Sequence, residues 1–552
     1  MSWLDICPIN LYRKMRANMK LFLSIPSAAR LHCQTTRTGK YLAVSGLWAL
    51  SLSTIAFSQG ATPAVSCASL AKLSLPNTTI SVAEEVQAGS FKPPAADGPG
   101  GGGGGRQGAT FGKLPAFCRV AGDIHPVADS DIKFEVWMPL DKWNGRFEAV
   151  GNGGLAGTLS YPAMGQALTD GYATGSTDTG HPAGQDPTWA LGHPEKVIDF
   201  GYRAVHEMTV KSKATVEAFY GSGPKYSYWN GCSEGGRQGM GEAQRYPADF
   251  NGILAGSPVF QFTHGQTRWL WNDMLVYKNP SGHLSPANYQ LIHKAVLDQC
   301  DAADGVKDGV VNDPQQCHFD PSVLLCKNGE TDDCLTAPQI REINAEYADA
   351  LNPRTHEMLA RGHEPGFEIF ETRPSAVPDK NTKQSGFYPY FVFENPNWDW
   401  TTIDFDKDVA TADKKWDAVL SNYDTDLSKF KAAGGKLIQY HGWSDPLPAP
   451  MATVDYFEAA QKKVGDTQAF YRLFMVPGMG HCGGGPGTDQ FEKMAALTDW
   501  VEHGKAPNSI FASHLTAGKV DRTRPICPYP QVATYTGNGS TDDAANFVCA
   551  KP

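Results

Sequence analysis

Gly231-Cys232-Ser233-Glu234-Gly235 sets a serine between two glycines in a G-x-S-x-G run. Such a run serves nucleophilic chemistry when a sharp strand-to-helix turn lifts the hydroxyl above a sheet, since glycines on both sides relieve the crowding of the turn. Its ordinary reading is a tight turn with a helix-capping serine. The segments around it favour the nucleophile: an aromatic strand reads at 226–229 and a helix at 235–245. A serine hydroxyl needs a base, and the order that goes with this turn is serine, acid, histidine. Asp445 ends His441-Gly442-Trp443-Ser444-Asp445, and His481 lies in Pro477-Gly478-Met479-Gly480-His481-Cys482. Each falls just past a predicted strand end, where such sheets gather their chemistry. His481 would take the proton from Ser233 and return it to the leaving group. Asp445 would fix the tautomer and stabilise the imidazolium. Alone, Asp445 also reads as a helix cap before Pro446, and His481 as a histidine in a glycine-rich turn; the order of all three selects the triad. His181 lies upstream of Ser233 and breaks that order. His441, on the strand side of Asp445, reads as structural. Acyl transfer also needs two backbone donors for the oxyanion. The amide of Glu234 is one candidate, and the glycine-rich turn at 151–154 should supply the other.

These groups need a scaffold that brings them to one rim. Alternating apolar and polar residues predict a strand at 131–139, and short strands read at 147–150 and 172–174. A long amphipathic helix follows at 197–220, then the strand and helix around Ser233, then a strand at 250–255. Alternating strands and helices argue for an α/β fold with a mainly parallel sheet. The rhythm stops between 257 and about 430, where aromatics, Pro, Asp and four cysteines crowd the chain. It resumes with strands at 436–440 and 471–476 and helices near 452–460 and 491–502. The expected organisation is an N-terminal extension and export signal (1–60), a core in two parts (61–257 and 431–552), and a lid insertion between them (258–430). A single connection of that length is too long for a loop of the sheet.

The insertion carries a second possible chemistry. Asp301-Ala302-Ala303-Asp304-Gly305-Val306-Lys307-Asp308-Gly309-Val310 packs three carboxylates into eight positions. Hard cations prefer clustered oxygens, and glycines let carbonyls turn inward. Asn312 at the twelfth position excludes an EF-hand, and solvated Asp-Gly turns are the alternative. The insertion also holds Trp269, Trp271, Tyr277, Phe387, Tyr388, Tyr390, Phe391, Phe393, Trp398 and Trp400. Such rings can line a slot for a flat acyl group or simply form the lid's own core.

Of the 552 residues, 41% are hydrophobic and only 19% charged, with 57 glycines and 38 prolines, which suits a loop-rich extracellular enzyme. Net charge is −10. The first 60 residues hold seven of the 48 Lys+Arg and one of the 58 Asp+Glu, so the remainder stands at −16. That acidity makes nucleic acid an unsuitable partner. Arg37 and Lys40, followed by an uncharged apolar run from Tyr41 to Phe57 and small residues near Ser58–Ala61, read as an export signal at 36–60. No membrane contact is expected once it is removed; an uncleaved anchor is the alternative. The 35 residues ahead of it are unusual and suggest a later start at Met15 or Met19. Cys7 and Cys33 precede the signal and ten of the twelve cysteines follow it. An even number in an exported chain implies disulfides. Cys300 with Cys317, Cys326 with Cys334 and Cys527 with Cys549 would each close a short loop, though spacing leaves the connectivity open. If Ser233 and His481 touch, Cys232 and Cys482 come within bridging range; otherwise both pair elsewhere. A glycine-rich run at 98–108 can form no packed structure. It lies between Cys67 and Cys118, and a bond between those two would pin it at its base.

With these motifs the chain resembles the tannase/feruloyl esterase family of α/β-hydrolases, which includes feruloyl esterases, tannases and mono(hydroxyethyl) terephthalate hydrolases. The resemblance spans about 67–549. It rests on Gly-Cys-Ser-Glu-Gly-Gly at 231–236, Trp143-Asn144-Gly145-Arg146-Phe147, Thr177–His181, Tyr440-His441-Gly442 with Asp445, and Val476-Pro477-Gly478-Met479 with His481-Cys482. It implies the triad Ser233, Asp445 and His481 and oxyanion amides at Gly154 and Glu234. It also implies five disulfides: Cys67 with Cys118, Cys232 with Cys482, Cys300 with Cys317, Cys326 with Cys334, and Cys527 with Cys549. Structural Ca2+ is implied at the side chains of Asp301, Asp304 and Asp308 and the carbonyls of Val306 and Val310, with no organic cofactor. The implied activity is secreted (extracellular or periplasmic) hydrolysis of small esters of phenolic acids, including ones attached to plant polysaccharide or polyphenol. Gallate and terephthalate monoesters are the alternatives, a non-catalytic binding module on a hydrolase scaffold is the reading from another class, and a peptidase is a third. The glycine run and the long N-terminus depart from the family pattern.

Overall fold

The structure, a computed structural model, describes residues 62–94, 111–182, 187–327, 329, 333–371 and 376–552. The export signal at 36–60, Cys7, Cys33 and the glycine run at 98–108 lie outside the described residues. Among the described residues no helix is long and apolar enough to cross a membrane.

A nine-stranded sheet organises the chain. β1 (Thr78–Val86), β2 (Phe117–Ile124) and β3 (Ile132–Pro139) run antiparallel at one side. β4 (Arg146–Val150), β5 (Ala173–Thr177), β6 (Tyr226–Cys232) and β7 (Gly252–Gly256) follow. The sheet is completed after the insertion, giving the order β1-β2-β3-β5-β4-β6-β7-β10-β11. From β5 onward every neighbouring pair is parallel. Parallel strands are covered on both faces and so read as continuous apolar runs, as the fully buried Gly252–Gly256 does. Alternate residues sort to opposite faces: Trp229, Ile253, Leu437 and Leu473 join one core, and Tyr228, Leu254, Ile438 and Phe474 the other.

Helices cover the two faces. α1 (Tyr161–Thr169) follows β4. α2 (Pro194–Ile198) runs through a π-turn at Asp199–Arg203 into α3 (Ala204–Tyr220). The single regular helix expected at 197–220 is therefore interrupted. Gly201 sits where the turn meets the lid, and a Cβ there would lie 2.7 Å from the carbonyl oxygen of Val419. α4 (Glu234–Arg245) starts directly after Ser233.

Between β7 and the next sheet strand come α5 (Phe262–Lys278), α6 (Pro286–Cys300), α7 (Ala337–Tyr347), a small hairpin of β8 (Ala350–Leu351) and β9 (Met358–Ala360), α8 (Lys407–Ala412), α9 (Ala418–Leu420) and α10 (Ser428–Ala432). The stretch without βα rhythm thus holds helices and one small hairpin joined by long irregular segments. α6 and α7 begin with capping boxes, at Ser285/Asn288 and Thr336/Gln339, which satisfy otherwise unpaired first-turn amides. The lid's aromatic core packs onto Trp189, Val197 and Phe200 of the first core segment.

β10 (Lys436–Gly442), α11 (Pro450–Val464), β11 (Tyr471–Val476) and α12 (Lys493–His503) close the sheet layers. Around and beyond α12 lie strands with no counterpart among the sequence expectations. β12 (Gln490–Phe491), β13 (Ile510–Thr516) and β14 (Lys519–Ile526) make a three-stranded antiparallel sheet, and β15 (Val532–Tyr535) pairs with β16 (Phe547–Ala550). The described residues form one compact unit.

Five disulfides staple these elements. Cys67 bonds Cys118 with Cα atoms 5.5 Å apart, tying the segment ahead of β1 to β2. In the lid, Cys300 at the end of α6 bonds Cys317, and Cys326 bonds Cys334 across eight positions just ahead of α7. Cys527 bonds Cys549, fastening β16 to the end of β14. The fifth, between Cys232 and Cys482, reaches across 250 positions to the site. All ten cysteines from Cys67 onward are used, in the pairing that the family resemblance implies.

Candidate active site

Ser233 occupies the turn between β6 and α4 with φ 63° and ψ −121°. A non-glycine residue at such a combination is strained, and strain of this kind gathers at functional sites. Close approach demands the glycine at 231, where a Cβ would meet the Gly235 carbonyl oxygen at 2.5 Å; a Cβ on Gly235 would sit tightly, 3.1 Å from the Cα of Gly151. The Ser233 amide donates to Gly256 O at 3.0 Å, fixing the turn to β7.

Asp445 and His481 come from the loops after β10 and β11, which are tied to each other. Trp443 N donates to Val476 O at 2.9 Å and Ser444 N to Met479 O at 3.0 Å. Between these loops His481 Nδ1 lies 2.7 Å from Asp445 Oδ2. Asp445 is fully buried, while 35% of the His481 side chain is exposed. Burial pushes the Asp445 carboxyl up, but the charge of His481 and hydrogen bonds from His441 and His481 pull harder, leaving it well below the usual carboxylate range. Burial pushes the His481 imidazole down; the charge of Asp445 and its hydrogen bond more than offset this and hold it above its ordinary value. A base raised and oriented by a buried carboxylate is suited to accepting a proton near neutral pH.

Cys232 and Cys482 are bonded with Cα atoms 6.0 Å apart. The immediate neighbours of Ser233 and His481 are therefore covalently joined.

The turn at 151–154 is held against α4. Asn152 N donates to Gln238 Oε1 at 3.1 Å, Gln238 Nε2 returns a bond to Asn152 Oδ1 at 3.0 Å, and Gly235 N donates to Asn152 O at 2.8 Å. Among the described residues neither the Glu234 nor the Gly154 amide has an acceptor. His181 is buried, bonds Leu155 O through Nε2 at 2.6 Å, and stacks on Trp189. Burial lowers it to about 4, so it braces this turn as a neutral ring.

Two further residues at the site were not assigned to it from the sequence. Arg237, fully buried, pairs with Glu234 and donates to Phe200 O, Gly201 O and Leu420 O. His441, read as structural, has its Nε2 3.1 Å from Asp445 Oδ2.

In the acidic loop, Asp301 is buried and accepts from the amides of Asp308 and Gly309. Asp304 Oδ1 accepts from Val306 N. Asp308 Oδ2 meets Arg524 at 2.7 Å. Burial, then the charges of Asp308 and Asp301, raise the Asp304 carboxyl. Val306 and Val310 are buried, and among the described residues nothing donates to either carbonyl. Carbonyls without a donor beside mutually repelling carboxylates fit a hard cation, although the three carboxylates do not all approach within 4.8 Å of one another. A cavity of about 380 Å³ opens beside this loop, against Trp443, Arg522 and Tyr529. None of Ser233, Asp445 and His481 lines it. Of the ten lid aromatics, nine pack within or against the lid core; Trp269 is 48% exposed.

A mainly parallel sheet with a strained serine at one strand end and a histidine–aspartate pair at two others defines an α/β-hydrolase. The family model for tannase and feruloyl esterase matches residues 118–550. An uncharacterized esterase of Xanthomonas campestris pv. campestris is 40% identical, covering 89% of this chain and 92% of its own. Mono(2-hydroxyethyl) terephthalate hydrolase of Piscinibacter sakaiensis is 33% identical, covering 80% and 86%. The crystal structure of feruloyl esterase B from Aspergillus oryzae superposes with a TM-score of 0.79 at 30% identity, covering 88% of this chain and 99% of that one. The chain belongs to the tannase and feruloyl esterase family and is a carboxylic ester hydrolase.

Proposed function

We propose that the protein is a secreted serine esterase that cleaves esters of aromatic acids through an acyl-enzyme. His481 Nε2 takes the Ser233 proton as Oγ attacks the ester carbonyl. The negative charge that develops on the carbonyl oxygen is met by the amides of Glu234 and Gly154. The tetrahedral intermediate collapses, His481 returns the proton to the leaving alcohol, and the acyl group stays on Ser233. Water then attacks with His481 again as base, releasing the acid and restoring the hydroxyl. The observation that carries this reading is the 2.7 Å bond between His481 and buried Asp445, with the Cys232–Cys482 bond beside it. The aromatic acyl class is supported by the names of the relatives, a feruloyl esterase and a terephthalate monoester hydrolase. Export is supported by five disulfides, which persist in oxidising compartments. Hydrolysis of methyl ferulate, methyl gallate and mono(2-hydroxyethyl) terephthalate, measured for wild type and Ser233→Ala, tests the reading. Equal rates in both proteins would reject the triad, and turnover of none of the three esters would reject the substrate class.

Calcium belongs to the same proposal as a structural ion. Asp301, Asp304 and Asp308 would hold it with the carbonyls of Val306 and Val310. Bound there, it supplies charge compensation that braces the lid between Cys300 and Cys317.

A further inference from the structure

Asp445 Oδ2 is shared by two imidazoles. His481 approaches it at 2.7 Å and His441 Nε2 at 3.1 Å. The other carboxylate oxygen accepts from Leu447 N at 2.9 Å. His441 and Asp445 are both fully buried, so water cannot replace any of these donors. The tautomer of His441 follows from its partners. Nε2 faces two acceptors, Asp445 Oδ2 and, at 3.1 Å, the Pro448 carbonyl. It must therefore carry a proton. Nδ1 lies 2.7 Å from the hydroxyl of Thr453, a buried residue of α11. A hydroxyl can donate there, so both ring nitrogens of His441 have a partner.

On the reading of Ser233, His481 and Asp445 as a triad, we infer that His441 is a positioning residue: its Nε2–H holds Asp445 Oδ2 against His481 and draws charge from it. A carboxylate side chain anchored only through Oδ1 to Leu447 N can still turn about its last bond. A second anchor on Oδ2 removes that freedom, and the rigid seat is supplied by β10 below and Thr453 behind. The titratable groups that act on Asp445 are His441 and His481, and the one that acts on His481 is Asp445. Withdrawing the His441 donor leaves more charge on Oδ2, which favours the imidazolium of His481. The acid limb of kcat/KM must then move to higher pH, while the changed geometry lowers kcat.

Glutamine and methionine have nearly the same shape, but only glutamine can donate an N–H to Asp445 and accept from Thr453. His441→Met should lower kcat by about 10–100-fold, the scale of a small misplacement of reacting groups, leave KM within about twofold, and raise the acid limb. His441→Gln should recover most of kcat and return the limb. Rates are normalised to active sites titrated with a fluorophosphonate, and the limb is read on whatever fraction folds, so partial misfolding of either variant does not mask the result. Equal behaviour of the two variants, or an unmoved limb in His441→Met, overturns the inference. Ser233→Ala measured alongside separates the two failures: retained activity there sinks the triad, whereas an inactive Ser233→Ala with indistinguishable Gln and Met variants sinks only the role of His441.

Discussion

Cys232 and Cys482 are bonded although 250 residues separate them, and each is the chain neighbour of a proposed catalytic side chain. The bond fixes the turn after β6 to the loop after β11, so its first effect should be on geometry. Reduction, or the double change Cys232→Ser with Cys482→Ser, should cut kcat by about 10–100-fold under conditions where far-UV circular dichroism remains native. Full activity after mass spectrometry has verified loss of this bond would count against the tether.

Ser233→Ala and His481→Ala should each lower ester hydrolysis by at least about 10⁴-fold, in line with other serine–histidine sites. Neither side chain anchors the sheet, so both variants should stay folded, Ser233→Ala melting close to wild type and His481→Ala somewhat lower because buried Asp445 loses one of its donors. A rate within tenfold of wild type for either variant removes that residue from the triad.

The charge of Asp445 holds His481 above the ordinary imidazole value despite burial. The free base is the active form, so kcat/KM should fall tenfold per unit as pH drops through a midpoint above about 6.5. Asp445→Asn should move that midpoint down as well as lowering kcat. The sign for stability is the reverse. A raised histidine stabilises the fold fully below its unfolded pKa, and that contribution disappears as pH rises through the folded value. A wild-type midpoint below about 6 would contradict the pairing.

Asp301 draws the amides of Asp308 and Gly309 onto its carboxylate, which shapes the loop before any ion arrives. If calcium binds there, free ion at 100-fold over Kd adds about 2.7 kcal/mol. A chelator should then lower the melting temperature by several degrees, Ca2+ should restore it where Mg2+ does not, and Asp301→Asn should abolish the response. Identical melts with and without chelator dismiss the ion.

The chemistry is more legible in the sequence than its supports are. Some strands of the parallel sheet stand out as short apolar runs, as at Gly252–Gly256, whereas Ala173–Thr177 is just as buried but largely polar; the serine motif stands out because the turn admits only glycine at Gly231. The support of that turn by Gln238 is invisible locally, since its partner Asn152 lies 86 positions away. His441 reads as structural because nothing in a linear string shows two imidazoles meeting one oxygen. The C-terminal strands escape for a different reason: Phe511, Val520 and Val548 are 63%, 59% and 53% exposed, so apolar residues face water and the usual alternation misleads. The lid aromatics illustrate the converse, for ring content alone cannot separate a binding slot from a core.

Arg237 is the support whose loss should cost most. Its guanidinium has no exposure, meets both oxygens of Glu234, and donates to three carbonyls. Two of those, Phe200 O and Gly201 O, lie in the π-turn before α3, and the third, Leu420 O, ends α9 of the lid. The rings of Phe200 and Phe262 flank the cation. One side chain thus joins the residue after Ser233, the interrupted helix and the lid. Arg237→Met leaves Glu234 buried and unpaired, where burial already pushes its carboxyl up against the pull of Arg237. Breaking a buried pair in this way costs about 3–5 kcal/mol, to be read as a lower denaturant midpoint. The double change Arg237→Met with Glu234→Gln removes the stranded charge and should recover part of that loss. Because Glu234 also offers the proposed oxyanion amide, Arg237→Met should lower kcat more than it raises KM. A single variant as stable and as active as wild type would mean that the fold holds this helix and the lid without the cation.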